Sequence, residues 1–290
     1  MARGIDHLVL AVADLDVAGQ LYEAMGFTVG ARNRHPWGTE NRIVQFPGSF
    51  LELITVGGGA AIPPHHGPSF SFGAFVADSL ARREGLAMLV LESRNAAADW
   101  AAFEDAGIGG FEPVSFSRLG RRPDGRPVHV AFTLAFARDV MAPEVGLFVC
   151  QQHYPENFWN PAFQSHPNGA SGVAAVTMLA ENPSDHAQAL SAFTGIRDFA
   201  ATSAGLTFET PRGTVAVRTA AAFAFETGLH LADTPSRLAG FAVAVADPAA
   251  VAASLAAAGI THAVADGTVI VPPAAAHGVA VTFRKDILLI

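Results

Sequence analysis

A pattern of strand, helix and glycine recurs four times along this chain. AVADLDVAGQLYEAMGF at residues 11–27 reappears as AVADPAAVAASLAAAGI at residues 244–260, with AVAD intact and the glycine in register. Weaker copies occupy residues 91–108 and 178–196. A repeat of this kind constrains the fold strongly, because each copy is a structural unit that must pack against the others.

Each copy carries the signals that begin and end a helix. An apolar run leads to an Asp or Asn able to cap a helix, and after about ten residues a glycine suits the C′ position. Short apolar segments separated by Gly, Pro or Asn turns follow each glycine, which is typical of β-strands. The unit is therefore a βα pair followed by about three strands. The predicted capping residues are Asp14, Asn95, Asn182 and Asp247.

Two ionisable side chains interrupt the apolar strands of the first unit. His7 lies in IDHLVLAV and Glu52 lies in FLELI. Burying either group costs several kcal/mol unless it is paired, protonated or bound to a metal. Three interpretations follow: metal ligands, a hydrogen-bonded pair in the core, and an acid–base couple that works without metal. We predict His7 and Glu52 as the catalytic residues.

The repeated unit resembles that of the vicinal oxygen chelate superfamily, which includes glyoxalase I, bleomycin-resistance proteins and extradiol dioxygenases. HPWGTENRIVQFPGSFLELI at residues 35–54 is similar to the glyoxalase-like domain branch, in which a His, a GT-x-N and an (F/Y)LE sequence follow one another. The resemblance implies an α+β fold in which four βαβββ units pair into two curved mixed sheets, with helices outside and the site on a concave face. We predict domains at residues 1–152 and 172–290, joined by a linker at residues 153–171.

Only the first unit has ionisable residues at both positions. Aligned on their helices, the later units place opposite His7 the residues Met88, Ala175 or Val176, and Gly240. The positions that match Glu52 fall near residues 149–151, Ala216 and Val281. We therefore predict that the chemistry belongs to the first pair of units and that the second pair is structural.

The resemblance implies a divalent metal, Zn, Fe, Mn, Ni or Co, bound by His7, Glu52 and the side-chain carbonyl of Gln151. Imidazole and carboxylate are ligands that suit these metals. Met88 departs from the pattern, because metal-dependent relatives supply a His or Gln at that point. A site without metal is therefore the alternative.

Polar and aromatic residues that could line a pocket cluster before the Glu52 strand and in two later segments. The predicted substrate-binding residues are His35, Trp37, Asn41, Arg42, Gln45, Phe72, His153 and Trp159. Arg42 could hold a substrate carboxylate in a bidentate pair, or it could be a surface arginine bonded to Glu40 or Asp6.

Two connecting segments allow further interpretations. The aromatic linker either packs across the domain interface or closes over the first-domain pocket. Residues 118–127 read as a hairpin with Asp124-Gly125 as the turn signal. Their arginines could steer an acid, but we predict that they lie at a solvated tip.

The amino-acid composition excludes some classes of partner and indicates a cellular compartment. A net charge of -8 without clustered Lys or Arg argues against nucleic acid and anionic membranes as partners. No apolar run reaches the roughly 18 residues of a membrane helix, and we expect no signal peptide because residues 5–12 already have the pattern of a strand. The single cysteine, Cys150, fits a reducing cytoplasm. A small molecule is the expected partner, and the Ala-rich helices would tolerate a homodimer interface.

Three functions remain open from the sequence. The favoured one is a glyoxalase-like lyase or isomerase that acts, with the help of a metal, on a small molecule with adjacent oxygens. The second is an extradiol-type dioxygenase, which the four-unit length suggests and the incomplete ligand set opposes. The third is a non-catalytic protein that sequesters a small molecule, as resistance proteins do. Fold alone does not choose among these functions.

Overall fold

Two eight-stranded mixed sheets make up the described part of the protein, which is residues 1–121, 125–231 and 235–285 of a computed structural model. The first sheet has the strand order β2-β3-β4-β1-β5-β8-β7-β6, and the second repeats this order with β10-β11-β12-β9-β13-β16-β15-β14. The predicted α+β fold of paired βαβββ units is thereby confirmed.

The first sheet and its helices come from the first half of the chain. Its strands are β1 (Ile5–Ala11), β2 (Asn33–Arg34), β3 (Thr39–Phe46), β4 (Ser49–Val56), β5 (Gly85–Glu92), β6 (Val114–Arg121), β7 (Pro127–Ala137) and β8 (Gly146–Gln152). Its helices are α1 (Leu15–Ala24), α2 (Phe72–Arg82) and α3 (Ala96–Asp105), and the short α4 (Pro155–Phe158) follows the last strand.

The second sheet repeats the arrangement. Its strands are β9 (Ala170–Leu179), β10 (Ala200–Thr202), β11 (Gly205–Glu209), β12 (Thr214–Arg218), β13 (Arg237–Val245), β14 (Ala263–Ala265), β15 (Thr268–Val271) and β16 (Ala280–Lys285). Its helices are α5 (Ala187–Thr194), α6 (Ala220–Thr227) and α7 (Pro248–Ala257). We propose that the domain boundaries predicted at residues 152 and 172 follow these two sheets.

The helix signals of the sequence are confirmed. The Asp14 carboxylate accepts hydrogen bonds from two backbone N–H groups of the first turn of α1, and Asp247 does the same for α7. Asn95 caps α3. Asn182 caps a 3₁₀ turn that leads into α5, so the third helix begins later than the repeat predicts. The glycines that follow the four helices all have positive φ, as the C′ position requires: Gly26, Gly107, Gly195 and Gly259.

Each sheet is centred on the first strands of its two units. β1 pairs in parallel with β4 and antiparallel with β5, so Val9 lies between Glu52 and Met88. Because side chains alternate along a strand, one set of residues faces α1 and α3 and the other faces the concave side of the sheet. His7 and Glu52 belong to the concave set, which encloses the cavity described below.

The two sheets share one hydrophobic core on their helix-covered sides. Phe27 stacks on Phe283 at 5.8 Å between ring centroids, and Phe103 packs on Phe193 at 6.0 Å. At the edge of this interface the Arg3 guanidinium donates to the backbone carbonyl of Phe193 at 2.7 Å. The second sheet therefore supports the first from behind and leaves the concave side of the first sheet open to a ligand.

Three helices were not foreseen from the sequence: the short α4 in the linker, and the longer α2 and α6. α2 and α6 occupy the connectors between paired units, where Gly, Pro and Ala obscured the pattern, and each lies against the concave side of its own sheet. The predicted turn residue Asp124 lies outside the described residues. Among the described residues no helix is long and apolar enough to cross a lipid bilayer.

Candidate functional site

An aromatic cavity opens on the concave side of the first sheet, with a volume of about 60 Å³. By the space that one water needs, it has room for roughly four to six waters. Phenylalanines from four strands and two helices form most of its wall: Phe50, Phe72, Phe116, Phe132, Phe148 and Phe158. The polar lining consists of His7, His35, Trp37, Asn41, Glu52, Arg118 and Cys150.

The Glu52 carboxylate lies between two imidazole rings. His7 Nε2 is 4.0 Å from Glu52 Oε2, and His35 Nε2 is 3.8 Å from Glu52 Oε1. The Asn41 amide N–H donates a short hydrogen bond to Glu52 Oε1. The carboxylate is buried, so the hydrogen bond from Asn41 and the nearby charge of Arg118 offset the cost of removing it from water.

His7 has a partner that the sequence did not identify. Its Nδ1 donates to the Asp6 carboxylate at 2.6 Å, and Gln152 Nε2 donates to the other Asp6 oxygen at 3.0 Å. Neighbours on a strand normally point to opposite faces, but a register shift between Ile5 and His7 in the β1–β5 pairing brings these two side chains together. The Nδ1 bond turns Nε2 toward Glu52, so the hydrogen-bonded partner of His7 is Asp6 and not Glu52.

His35 completes the cluster from the β2–β3 turn. Its Nδ1 is 2.8 Å from the Thr39 hydroxyl oxygen, and its ring stacks on Trp37. Burial lowers the pKa of the His35 imidazole, and the charges of Arg118 and His7 lower it further, while the Glu52 carboxylate raises it. His35 is therefore a neutral imidazole at neutral pH, able to donate or accept one hydrogen bond in the cavity.

Two buried polar atoms among the cavity residues lack a hydrogen-bond partner within the described protein. They are the indole Nε1 of Trp37 and the amide Oδ1 of Asn41. Buried polar groups are nearly always paired, so an orphan donor and an orphan acceptor in one cavity indicate a polar ligand or water there. Cys150 also lines the cavity. Burial raises the pKa of its thiol well above the ordinary value, so Cys150 is a protonated thiol and not a thiolate nucleophile.

The structure brings together six of the predicted site residues: His7, Glu52, His35, Trp37, Asn41 and Phe72. Arg42 lies elsewhere. Its guanidinium bonds Glu23 at 2.7 Å and the carbonyl of Gly30 at 2.9 Å, so it joins β3 to α1 and does not bind Glu40 or Asp6.

Three further predicted residues also lie outside the cavity. His153 is exposed and its Nε2 is 2.8 Å from the Thr133 hydroxyl. Gln151 accepts from the backbone N–H of Ala96 at 2.9 Å, which turns its carbonyl toward the start of α3. Trp159 packs behind Phe158. The next residue, Gln152, supports the site instead, because it donates a hydrogen bond to the Asp6 carboxylate that holds His7.

Gln45 acts on the cavity indirectly. Its side chain accepts from the backbone N–H of Asn160 at 2.8 Å and donates to the carbonyl of Phe158 at 2.9 Å. These bonds fix α4, whose Phe158 ring packs on Phe50 and Phe132 and closes the cavity. Gln45 is thus a positioning residue, and the linker covers the first-sheet pocket.

Sequence reasoning missed Asp6 and most of the phenylalanine wall, and it placed Arg118 at a solvated tip instead of in the cavity. A charged residue directly before His7 in an apolar strand was a signal for Asp6. The alternation of Val114, Phe116 and Arg118 along β6 was a signal that Arg118 faces inward, whereas the Gly- and Pro-rich hairpin suggested a solvated tip.

Strand register shows which residues replace the first-unit pair elsewhere. In the first unit Glu52 on β4 pairs with Val9 on β1. At the equivalent position of the other three units, Phe148 pairs with β5, Ala216 pairs with β9 and Thr282 pairs with β13. The sequence alignment was therefore correct at Ala216, and it was off by one or more residues for β8 and β16. The residues that match His7, seven positions before each cap, are Met88, Ala175 and Gly240.

The residues present do not fit the metal centre that the resemblance implies. The partner unit supplies apolar Met88 and Phe148 where ligands are expected. Two ligands about 2.1 Å from one tetrahedral metal lie roughly 3.4 Å apart, closer than the histidines are to Glu52, and Asn41 already donates to one Glu52 oxygen. Within the described ranges, no group of three or more His, Cys, Asp or Glu side chains has metal-binding geometry.

Comparison with known proteins agrees with this architecture. Solved structures with the same fold include a hypothetical protein from Staphylococcus aureus, with a TM-score of 0.66, 11% identity, and coverage of 98% of this chain and 100% of that one. A mutant of 4-hydroxymandelate synthase from Streptomyces coelicolor has a TM-score of 0.61 and 11% identity, with 98% and 93% covered. A fusion of a xylose isomerase-like TIM barrel with 4-hydroxyphenylpyruvate dioxygenase has a TM-score of 0.56 and 13% identity, with 99% of this chain and 50% of that chain covered.

No curated protein matches the sequence. A family match, described as glyoxalase-like domain, extends over residues 5–194 and so includes every residue of the cavity. The structural likenesses at this level of identity establish the fold and leave the reaction open. The chain therefore belongs to the glyoxalase-like domain family of the vicinal oxygen chelate superfamily.

Proposed function

We propose that the aromatic cavity is the active site of an isomerase or lyase that moves a proton on a small molecule with adjacent oxygens, without a metal. One observation carries this proposal. A buried carboxylate, Glu52, lies between the Nε2 atoms of His7 and His35 in a cavity with a mostly aromatic lining. Few arrangements other than acid–base catalysis call for three proton-exchanging groups around one apolar cavity.

The chemistry follows from the roles these groups can take. Glu52 removes a proton from carbon next to a carbonyl group, and the electron pair of the broken C–H bond moves onto the carbonyl oxygen. The free indole N–H of Trp37 donates to that oxygen as negative charge develops there. When the deprotonated carbon bears a hydroxyl group, transfer of the hydroxyl proton to the former carbonyl oxygen and delivery of a proton to the former carbonyl carbon complete an isomerisation. When the next carbon on its other side bears a leaving group, the enolate electron pair expels that group as the carbonyl re-forms, which completes an elimination.

Asp6 and His7 form the second half of the acid–base system. The Asp6 carboxylate fixes the ring of His7 through Nδ1 and stabilises the imidazolium that forms when Nε2 accepts a proton. His7 can therefore receive the proton from Glu52 or deliver it to the substrate. The surrounding phenylalanines exclude water and strengthen these electrostatic interactions.

Deuterium incorporation in D₂O tests the proposal without knowledge of the natural substrate. The probes are small hydroxy-ketones and 2-oxo acids, followed by NMR with chelator-treated protein. Wild type should exchange the C–H next to the carbonyl in at least one probe, and Glu52→Gln should lower the rate by about 10²- to 10⁴-fold. Glu226→Gln is the matched control, since Glu226 lies on the concave side of the second sheet.

The same assay separates the alternatives. Exchange that stops with chelator and returns with Zn²⁺ or Mn²⁺ would support the metal-assisted reaction. Oxygen consumption with a catechol and Fe²⁺ would support the dioxygenase. The aromatic wall favours a sequestering protein as the second candidate, and ligand binding with no exchange in any probe would select it.

A further inference from the structure

Arg118 brings a positive charge to the cavity wall. It lies on β6, two residues after Phe116, so both side chains face the cavity. The side chain is partly buried, and burial lowers the pKa of its guanidinium, while the Glu52 carboxylate opposes this effect. Arginine remains charged in proteins, so the cavity contains a partly desolvated cation.

This guanidinium has no partner among the described residues. Three other part-buried arginines are paired at 2.7 Å: Arg42 with Glu23, Arg212 with Glu92 and Arg218 with Glu226. Arg237 on β13 has an unpartnered Nε, but it lines no described cavity. Arg118 makes no ion pair and no hydrogen bond of this kind, and Glu52 is its nearest anionic influence without being in contact. A guanidinium that is buried and unpaired retains five donors for a ligand.

We propose that Arg118 binds the carboxylate of a compact aromatic acid in this cavity. The inference rests on the proposed function, in that it places this acid where Glu52 reacts. The aromatic class follows from the phenylalanine wall and from the free space of about 60 Å³, which limits the ligand to roughly a single ring with a short side chain. The carboxylate matches the planar fork of the guanidinium.

The charge of the cavity favours a monoanion over a phosphate. Arg118 is the cationic group of the lining, whereas Glu52 lines the cavity and Asp6 lies directly behind His7. A dianionic phosphate would be repelled by these carboxylates at short range. The orphan donor of Trp37 and the orphan acceptor of Asn41 can serve polar atoms next to the carboxylate.

Calorimetric titration with benzoate, benzamide and phenyl phosphate tests this assignment. Benzoate should bind wild type more tightly than benzamide, which has the same shape without the charge, and more tightly than phenyl phosphate. Arg118→Met should weaken benzoate by on the order of 10- to 100-fold and leave benzamide unchanged. Arg118→Lys should restore part of the loss, and Arg94→Met, at an exposed arginine outside the cavity, should have no effect.

Several outcomes would overturn the assignment. These are equal benzoate affinity in Arg118→Met and wild type, no benzoate binding by wild type, or tighter binding of phenyl phosphate. Glu52→Gln separates this inference from the reaction, because removing that negative charge should leave benzoate binding at least as tight. If Glu52→Gln still exchanges deuterium while Arg118→Met has lost benzoate, the proposed reaction fails and the carboxylate site stands.

Discussion

The concave sides of the two sheets have the same strand order, but they differ in the side chains that line them. In the first sheet, His7 and Glu52 face an aromatic cavity of about 60 Å³. In the second sheet, Ala175 and Ala216 occupy these positions in a wider cavity of about 270 Å³. The second cavity does contain ionisable groups: Arg218 and Glu226 pair at 2.7 Å, and Arg284 is a further cation in its lining.

The difference shows how a duplicated unit can separate function from support. In the second cavity Arg218 and Glu226 pair with each other, whereas in the first cavity Glu52 lies among imidazoles and Arg118 has no ion-pair partner among the described residues. Unpaired buried groups reduce stability and are retained where a ligand uses them. The second sheet contributes through the shared hydrophobic core behind the site.

The largest change in stability that we predict follows from shortening a phenylalanine on either of the two helices that cover the concave sides. Phe72 of α2 and Phe223 of α6 are both buried, so replacing either by Ala should lower the free energy of unfolding by about 3 kcal/mol. Only Phe72→Ala should also weaken benzoate, because Phe72 lines the ligand cavity. Urea denaturation and calorimetry measure the two quantities, and weaker benzoate binding in Phe223→Ala would contradict the comparison.

A transplant of the ionisable pair into the second sheet should have an intermediate effect. Ala175→His combined with Ala216→Glu recreates the pair without Asp6, Asn41 or Arg118, and should lower the free energy of unfolding by about 1–3 kcal/mol. We expect no deuterium exchange from the transplanted site when Glu52→Gln has silenced the first. Exchange in that triple variant would show that the surrounding groups are unnecessary.

The smallest effect concerns pH. Burial lowers the pKa of His35 from its ordinary 6.5, so below that pH the unfolded chain takes up a proton that the folded protein resists. Stability from this residue is complete above pH 6.5 and is lost as pH falls toward the folded pKa, with a slope of at most about 1.4 kcal/mol per pH unit.

His35→Gln should therefore flatten the loss of stability between pH 6.5 and the folded pKa, measured by urea denaturation at several pH values. His66→Gln, at an exposed histidine, is the control and should leave the profile unchanged. His166, whose pKa burial also lowers, keeps part of the slope in both variants. An unchanged profile in His35→Gln would mean that His35 takes up its proton equally in the folded and unfolded states.

Periodicity and capping predicted the repeated units, because those signals are local. Asp14, Asn95 and Asp247 cap helices as expected, and the apolar strands around His7 and Glu52 form the centre of a sheet. The helices α2 and α6 escaped prediction because they lie in segments that the repeat does not mark.

The candidate site was predicted where a residue's own strand decided its direction. His7 and Glu52 were found in this way, whereas Arg42 was misplaced because a long side chain on the correct strand bonded Glu23 instead. Pairing of Asp6 with His7 depends on a register shift between strands that are distant in sequence. Such a shift has no local signature.

The central claim is that the first sheet contains an acid–base site to which its partner unit gives no metal ligand. Elemental analysis of protein purified without chelator or affinity tag tests this claim most directly, beside the double variant His7→Ala, Glu52→Ala. The account predicts no stoichiometric metal in either protein, before or after incubation with Zn²⁺, Mn²⁺, Fe²⁺, Co²⁺ or Ni²⁺. Near-stoichiometric metal in wild type that is lost in the double variant would contradict it.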